Sequence, residues 1–332
     1  MLVHLINHSA ENLGGAQKIL KLIYDDNEEH SKIISFDYIK DKSRQRRSNY
    51  LYAALAFFSD LIRKHRNTFI IHHRIFLIPF IFMRNSNSIF ICHNIFPSKN
   101  FIFKHLTHLK IIAVSSEVKD YLHTVNPKLN ITVIPNGVSV NEAENFERND
   151  NGTFKIGFIG RLAKEKGIYL LLEAFRAFIT DNQHVNTELH IVGSGELDPQ
   201  QLENAALSDL SNKITFHGYS DAPFTLLKHV DLLVVPSQFE GFGLVYYEAL
   251  ERGHMVLASN LPVFRKKTDD LGVEFFIQND ATDLAHKMAN CRDKQDLWIT
   301  AGSPLKRHDF LTTDDMLSNY KTFLESTPNE QA

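Results

Sequence analysis

The chain of 332 residues is long enough for two domains with separate cores. Its composition, with 43% hydrophobic and 23% charged residues, is that of a globular protein rather than a disordered one. A formal net charge of −3 argues against a nucleic-acid binder held by bulk electrostatics. The two cysteines, Cys92 and Cys291, form neither a metal-binding nor a disulfide pattern, so a reducing, cytoplasmic setting is expected.

The sequence predicts neither a secretory leader nor a membrane-spanning segment. The N-terminus lacks a basic leader region. The most apolar segment, residues 75–83, is far shorter than the roughly 20 residues of a spanning helix and carries Pro79. Two interpretations of it stay open: a buried core helix, or an aromatic, basic-edged surface that touches the inner face of a bilayer. Residues 99–105 have the same character.

Apolar runs alternate with helical patterns along the whole chain, which is typical of βαβ units and parallel sheets. In the first half, helices are predicted to begin near residues 14, 47, 74, 98 and 115. Strands are predicted at residues 2–6, 32–36, 68–72, 88–93, 110–114 and 131–134, and in the second half at 154–160, 188–193, 213–217, 231–235, 255–259 and 273–276.

The stretch 139–152 is polar, acidic and without periodicity, and it is the predicted linker. The expected domains are therefore residues 1–145 and 146–308. A C-terminal helix within 309–332 is expected to pack back on the N-terminal domain. Two such facing α/β domains would bind a ligand in the cleft at the carboxyl ends of their strands.

The most informative segment surrounds a Gly-Phe-Gly turn that follows a predicted buried strand and opens a helix. Glu240 lies before the turn, and Glu248 lies within the helix. Free N–H groups at a helix N-terminus favour phosphate, and ionised carboxylates accept hydrogen bonds from sugar hydroxyls. The segment therefore indicates a sugar-nucleotide site.

A second motif supplies positive charge. Arg161 and Lys166 lie between the first predicted strand of the second domain and the helix that follows it. A single cation in a loop is usually only solvated. Beside the first segment, these two would neutralise a departing pyrophosphate.

Together the motifs Gly-Arg-Leu-x-x-x-Lys-Gly and Pro-Ser-x-x-Glu-Gly-Phe-Gly-x-x-x-x-Glu-Ala resemble those of the retaining GT-B glycosyltransferases of family 4, the "glycosyl transferases group 1". The segments 14–17, 133–138 and 191–196 also resemble that family. The resemblance runs from about residue 1 to 326, is strongest over 154–260 and is weak over 25–90. It implies an α/β fold of the GT-B type, with two Rossmann-like, doubly wound parallel-sheet domains.

The resemblance also implies roles for residues of the second domain. Arg161 and Lys166 would bind the donor diphosphate and stabilise the leaving group. Glu240 would hold hydroxyls of the donor sugar, and Glu248 would accept from the ribose. Sugar and phosphate oxygens would be bound by the backbone amides around Phe242, Gly243, Leu244 and Val245.

Residues of the first domain receive roles in the same way. Gly15 would let the backbone approach the diphosphate. His93 would lie beside the donor sugar and the acceptor, and a structural histidine is the alternative, since the chain has 17. His72, His73 and His8 are weaker candidates for acceptor contact.

The resemblance thus implies a retaining, metal-independent, hexosyltransferase-type enzyme without a cofactor. A UDP-sugar is the expected donor. The expected acceptor is a glycan or lipid-linked saccharide of bacterial O-antigen, core or capsule, met at the inner membrane. Two alternatives remain: a GT-B sugar-nucleotide epimerase, and a non-catalytic sugar-nucleotide-binding partner subunit. The sequence departs from the family pattern at Ser139 and over 250–256, which bears on donor specificity.

Overall fold

The computed structural model describes two compact units, unit 1 (Met1–Gly137 and Leu311–Ala332) and unit 2 (Val138–Phe310). No helix in the described part of the chain is long and apolar enough to cross a membrane. The described residues are 1–7, 14–36, 38–41, 44–47, 50–62, 67–82, 88–95, 97–139, 145–147, 152–195, 197–198, 210–268, 273–296 and 310–326.

Unit 1 is built on a sheet that has eight strands among its described residues, in the order β4-β3-β2-β1-β5-β6-β7-β8. Six neighbouring strands of this sheet, β2, β1, β5, β6, β7 and β8, run parallel. The apolar side chains of β5, β6 and β7 are buried. The strands are β1 (Leu2–Leu5), β2 (Ser31–Ile34), β3 (Tyr38–Asp41), β4 (Arg44–Arg47), β5 (Thr68–Ile71), β6 (Ser88–Cys92), β7 (Lys110–Ala113) and β8 (Asn130–Val133).

Two helices of unit 1 begin at a residue whose side chain caps the first turn. The Ser115 side chain accepts from the backbone N–H of Val118, and Thr312 forms a capping box with Asp315. The elements are α1 (Gly15–Asp25), α2 (Tyr50–Ile62), α3 (Leu77–Phe82), α4 (Ser116–Val125), the C-terminal helix Thr313–Glu325, and 3-10 helices at Glu28–His30, Arg74–Phe76 and Pro97–His105.

Strands β3 and β4 form an antiparallel hairpin at the edge of the sheet, and the sequence did not predict them. Their sequences are largely polar and lack the alternation that indicates a half-buried strand. An edge strand needs less apolar surface than a central one. The helix predicted to begin near residue 47 begins instead at Tyr50.

Unit 2 is built on a parallel sheet of six strands among its described residues, in the order β11-β10-β9-β12-β13-β14. The chain winds from β9 towards β10 and β11, then returns to β12 on the other side. The strands are β9 (Phe154–Ile159), β10 (Thr187–Val192), β11 (Ile214–Gly218), β12 (Leu232–Val235), β13 (Met255–Ser259) and β14 (Glu274–Phe276); the helices are α5 (Ile168–Asp181), α6 (Pro223–Leu227), α7 (Leu244–Glu251), α8 (Pro262–Thr268) and α9 (Ala281–Asp293).

The core of unit 2 lies between this sheet and helices α5 and α9. Phe175 and Phe178 of α5 are buried in the same cluster as Leu284 and Met288 of α9. Each fully buried side chain of this size contributes about 1.5–3 kcal/mol. The core therefore fixes the strand ends from which the site loops emerge.

The units divide at Gly137, ahead of the predicted boundary at residue 145. Residues 146 and 147 are held within unit 2, where the Phe146 N–H donates to the Arg252 carbonyl at 2.8 Å and the Glu147 N–H donates to the Lys228 carbonyl at 2.8 Å. The C-terminal helix belongs to unit 1, where the Met316 sulfur accepts from the Gly137 N–H at 3.2 Å. Residues 140–144 and 148–151 of the predicted linker lie outside the described residues.

Candidate active site

Two loops at the carboxyl ends of neighbouring strands in unit 2 carry the predicted charged residues. One follows β9 and contains Arg161 and Lys166, and the other follows β12 and contains Glu240. The strand order reverses between β9 and β12, which is where doubly wound sheets bind ligands. The fold therefore places both motifs at the position that favours a ligand.

The two loops are packed against each other through their backbones. The Gln238 N–H donates to the Glu165 carbonyl at 2.9 Å. Gly167 has a φ of +75°, and a Cβ there would lie 1.9 Å from the carbonyl oxygen of Pro236. Only glycine suits such a position, so Gly167 permits the close approach that joins the motifs.

Lys166 and Glu240 meet directly across the joined loops. Their Nζ and Oε1 atoms are 2.5 Å apart, and the Ser237 hydroxyl donates to the same Oε1 at 2.8 Å. The Lys166 side chain is 27% exposed and the Glu240 side chain 11%. Both contacts use Oε1, so Oε2 of Glu240 is the oxygen left for a ligand hydroxyl.

Arg161 is held less firmly than Lys166. Its guanidinium pairs with Glu165 of the same loop, and its side chain is 51% exposed. Exposed pairs of this kind are screened and contribute little to stability. Arg161 can therefore turn towards an anionic ligand at small cost.

The N-terminus of α7 lies directly after Glu240. Gly243, at the N-cap, has a φ of +84°, and a Cβ there would lie 2.3 Å from a ring carbon of Phe264. The amides of Leu244 and Val245 in the first turn have no partner within the helix and are positioned for an anion. The Phe242 side chain is buried, with its ring centroid 4.9 Å from that of Tyr247.

Buried tyrosines anchor α7 to the body of unit 2. The Tyr247 hydroxyl donates to the Val263 carbonyl at 2.6 Å. The Tyr246 ring stacks on Phe264 with centroids 4.4 Å apart. This packing fixes the orientation of the amides in the first turn.

Glu248 is a buried carboxylic residue inside α7. The Arg252 guanidinium donates to its backbone carbonyl at 3.0 Å and lies 4.4 Å from the ring centroid of Phe224. His254 is buried beside the same ring, and burial lowers its pKa to about 4. The segment that departs from the family pattern thus packs inside unit 2.

The remaining predicted residues lie in unit 1. Gly15 is the exposed first residue of α1. His93 follows β6, and its Nε2 lies 3.1 Å from Nδ1 of His72; burial lowers the pKa of His93 to about 4, so the ring is neutral near pH 7. The His73 Nδ1 accepts from the Ile75 N–H at 3.3 Å, and His8 lies outside the described residues.

The structure thus brings together Arg161, Lys166, Glu240, Glu248 and the turn 242–245 within unit 2, and their ligand roles stay predictions, as do those of Gly15 and His93. Sequence reasoning missed Ser237 and His4. Ser237 lies inside the quoted motif, so its spacing to Glu240 was a usable signal. His4 had no such signal, because its partner is distant in sequence.

Residues 153–293 match the family model described as glycosyl transferases group 1. Among curated proteins, the O-antigen biosynthesis glycosyltransferase WclY of Escherichia coli is 26% identical, over 52% of this chain and 49% of WclY. The capsular polysaccharide biosynthesis glycosyltransferase CapM of Staphylococcus aureus is 24% identical, over 65% of this chain and 62% of CapM. For WclY, the chain spans about half the length of the relative it matches.

The fold is similar to that of Anabaena HepE, solved in complex with UDP and glucose. The TM-score is 0.76 at 15% identity, covering 98% of this chain and 99% of HepE. This likeness confirms the predicted GT-B fold. Over residues 153–293, the chain is therefore similar to the glycosyl transferases group 1.

Proposed function

We propose that this protein is a retaining glycosyltransferase that moves a sugar from a nucleoside diphosphate to a glycan or lipid-linked acceptor in bacterial surface polysaccharide synthesis. The observation that carries the proposal is the Lys166–Glu240 pair, 2.5 Å apart and adjacent to the N-terminus of α7. A cation, a carboxylate and helix amides together suit a diphosphate joined to a sugar.

The donor is proposed to be a UDP-sugar. Support comes from the complexes of HepE with UDP and glucose and with UDP-glucose. Pathway assignment rests on WclY and CapM, whose names place them in O-antigen and capsule biosynthesis.

In the proposed mechanism, the diphosphate displaces carboxylates from the two cations. Lys166 exchanges Glu240 for phosphate oxygens, and Arg161 exchanges Glu165. Both then stabilise the negative charge that develops on the leaving phosphate. Glu240, held by Ser237, accepts from hydroxyls of the sugar and orients the anomeric carbon.

Retention would follow from attack on the face that the diphosphate leaves, with a leaving-phosphate oxygen taking the proton of the acceptor hydroxyl. The acceptor oxygen forms the new glycosidic bond as the bond from the anomeric carbon to the phosphate oxygen breaks. Gly15 and His93 of unit 1 are assigned to the diphosphate and to the sugar and acceptor by the family resemblance.

A mass-spectrometric screen of purified protein with UDP-, GDP-, dTDP- and ADP-sugars tests the proposal. We expect slow, selective hydrolysis of a UDP-sugar, and retention in the sugar transferred to an added acceptor. An epimerised donor without acceptor would identify an epimerase. Donor binding without turnover, whichever acceptor is added, would identify a non-catalytic partner subunit.

Glu248→Gln is expected to raise the Kd for UDP by about 10- to 100-fold, because a buried carboxylate that accepts from ribose hydroxyls contributes about 1.5–3 kcal/mol. Isothermal titration calorimetry measures the change. Glu251→Gln, at the other end of α7, is the matched control and should bind normally. Equal affinities for both variants would move the ribose site elsewhere.

Removal of metal is expected to leave turnover unchanged. In the proposed mechanism Arg161 and Lys166 provide the positive charge that a divalent ion would otherwise supply. Initial rates should therefore agree within experimental error with and without excess EDTA. Inhibition that Mn²⁺ reverses would show that the cations alone are insufficient.

Membrane contact is proposed for a surface formed by α3 and the 3-10 helix Pro97–His105. Phe82 and Phe101 are 84% and 62% exposed, whereas Leu77 and Phe80 on the other face of α3 are buried. The buried face of α3 agrees with the interpretation as a core helix, and the exposed face is the one assigned to the proposed membrane contact. Phe82 and His105 line one pocket, and exposed Lys104 supplies positive charge for anionic headgroups. Residue 83 lies outside the described residues.

The double variant Phe82→Ser/Phe101→Ser is expected to weaken sedimentation with phosphatidylglycerol–phosphatidylethanolamine vesicles by about tenfold or more, because two apolar side chains no longer enter the interface. Ile62→Ser is the matched control, since Ile62 is also 84% exposed but lies on α2. Equal vesicle binding of all three proteins would contradict the assignment.

A further inference from the structure

Three histidines of unit 1 form a diagonal row across neighbouring parallel strands. His4 lies in β1, His72 directly follows β5, and His93 directly follows β6. His4 pairs with Ile70, so His72 lies two residues further along. Ile71 pairs with Phe90, so His93 is again two residues beyond the position opposite His72. A step of two residues keeps side chains on one face of a sheet.

The three imidazoles are joined head to tail. Nδ1 of His4 lies 3.2 Å from Nε2 of His72, and Nδ1 of His72 lies 3.1 Å from Nε2 of His93. The ring planes differ by 25° and 13°. Each bond therefore uses the same pair of nitrogens in the same order.

All three rings are neutral near pH 7. Burial lowers the pKa of His4 to about 3 and that of His93 to about 4, and burial with the neighbouring imidazoles holds the pKa of His72 well below its usual range. A neutral imidazole has one N–H donor and one acceptor. The row therefore has a single direction: every ring carries its proton on Nδ1, or every ring carries it on Nε2.

The two ends of the row decide between these directions. Nε2 of His4 and Nδ1 of His93 are buried and have no hydrogen-bond partner in the described part of the chain. With protons on Nε2, an N–H would be left unsatisfied at the fully buried His4. With protons on Nδ1, the unpartnered N–H lies instead on His93, whose Nδ1 atom is also buried but which is the one residue of the row that is partly exposed. Orphaned buried N–H groups are the rarer case.

We propose that His4 and His72 are positioning residues that hold His93 in the Nδ1–H tautomer, so that His93 donates a hydrogen bond to a carbohydrate oxygen. The proposal rests on the proposed function, since a sugar or saccharide ligand supplies that oxygen. The hydrogen bond at one ring nitrogen decides whether the other ring nitrogen carries the proton. Groups that hydrogen-bond to metal-bound histidines act in the same way.

A pair of histidines in unit 2 provides an internal contrast. Nδ1 of His190 lies 3.1 Å from Nε2 of His217, but Nε2 of His190 lies 3.2 Å from a carboxylate oxygen of Glu188. The carboxylate accepts a hydrogen bond from Nε2–H of His190 and so imposes the Nε2–H direction when the rings are neutral. The two networks should therefore show opposite tautomers in the same protein.

Two-bond proton–nitrogen spectra of the full chain with ¹⁵N-labelled histidine test the row directly. We expect Nδ1–H patterns for His4, His72 and His93, with through-hydrogen-bond nitrogen–nitrogen couplings for both pairs. These signals should not change between pH 7 and pH 5, because the pKa of His4 is about 3 and that of His93 about 4, while burial and the neighbouring imidazoles hold the pKa of His72 well below its usual value. An Nε2–H pattern at His93, or a missing coupling between two of the rings, would contradict the proposed direction of the hydrogen bonds in the row.

Two substitutions at His72 separate positioning from packing. His72→Phe keeps a ring but removes both nitrogens; His93 should become a tautomer mixture, and kcat should fall about tenfold at unchanged donor KM, the effect of one hydrogen bond. His72→Gln keeps an acceptor and a donor, so it should restore the Nδ1–H pattern and most of kcat. His123→Phe is the control: it removes a unit 1 histidine on α4 whose hydrogen bond, among the described residues, is to the Leu129 carbonyl.

The outcomes distinguish this inference from the proposed function. If the spectra fit but neither His72 variant changes kcat, the positioning role fails while glycosyl transfer stands. If the protein transfers no sugar, the tautomer of His93 in the wild type and in His72→Gln still shows whether the histidine row sets that tautomer. If His72→Phe does not fold, the same two proteins suffice.

Discussion

Lys166→Ala should lower kcat by about 10²- to 10³-fold, the effect of removing one preorganised charge from a developing anion. Lys166 is the better placed of the two cations because it is 27% exposed and fixed 2.5 Å from Glu240, whereas Arg161 is 51% exposed. Arg161→Ala is therefore expected to have the smaller effect. Steady-state kinetics with the donor identified by the screen give both values.

Loss of the cation also leaves Glu240 with Ser237 as its described partner, and a partly buried carboxylate without its cation destabilises its surroundings. Thermal unfolding must therefore show that the variant is folded at the assay temperature. Lys164→Ala is the matched control, since Lys164 is exposed and lies with Lys166 in a short 3-10 helix, Lys164–Lys166. A folded Lys166→Ala protein with near-normal kcat would remove Lys166 from the leaving-group role.

Central parallel strands such as β6, β12 and β13 were predictable because they are short, largely apolar runs that the fold buries on both faces. Strand β13 was predicted with both ends correct, and β9 and β6 to within one residue. Burial of Val256 and Leu257 leaves few alternatives for such a run. The polar hairpin of β3 and β4 carries no such signal, because an edge position does not require an apolar pattern.

The candidate site was predictable only in part for a related reason. The motifs predicted which residues matter and that they follow strands, but not their contacts. That Lys166 binds Glu240 depends on β9 lying beside β12, which local sequence does not reveal. The histidine row depends on the register of three strands, so His4 had no sequence signal at all.

Arg252 and His254 also show that local sequence does not reveal which residues meet in the fold. They interrupt the family pattern, and the sequence suggested a change near the site. In the structure both are buried against Phe224, and Arg252 donates to a carbonyl of α7. The departure from the family pattern at these two residues therefore affects how the end of α7 packs against Phe224.

Gly167→Ala should destabilise unit 2 by about 2–4 kcal/mol, because it combines a left-handed backbone with a steric conflict. The φ of Gly167 is +75°, and the added Cβ would lie 1.9 Å from the Pro236 carbonyl oxygen. The backbone must move, and the loop that carries Lys166 moves with it. A displacement of about 1 Å at a reacting centre can cost about 10²-fold in rate, so kcat should also fall by that order.

Gly152→Ala separates the two causes, because Gly152 has a φ of +73° but no atom of the described residues lies within 4 Å of an added Cβ. It should cost only the strain of a left-handed alanine, about 1 kcal/mol, and leave kcat unchanged. Urea denaturation followed by circular dichroism gives both free energies of unfolding. Equal losses would mean that backbone strain alone requires glycine at 167. A larger loss at Gly167 together with a fall in kcat would show that the contact with Pro236 holds the cationic loop in its working position.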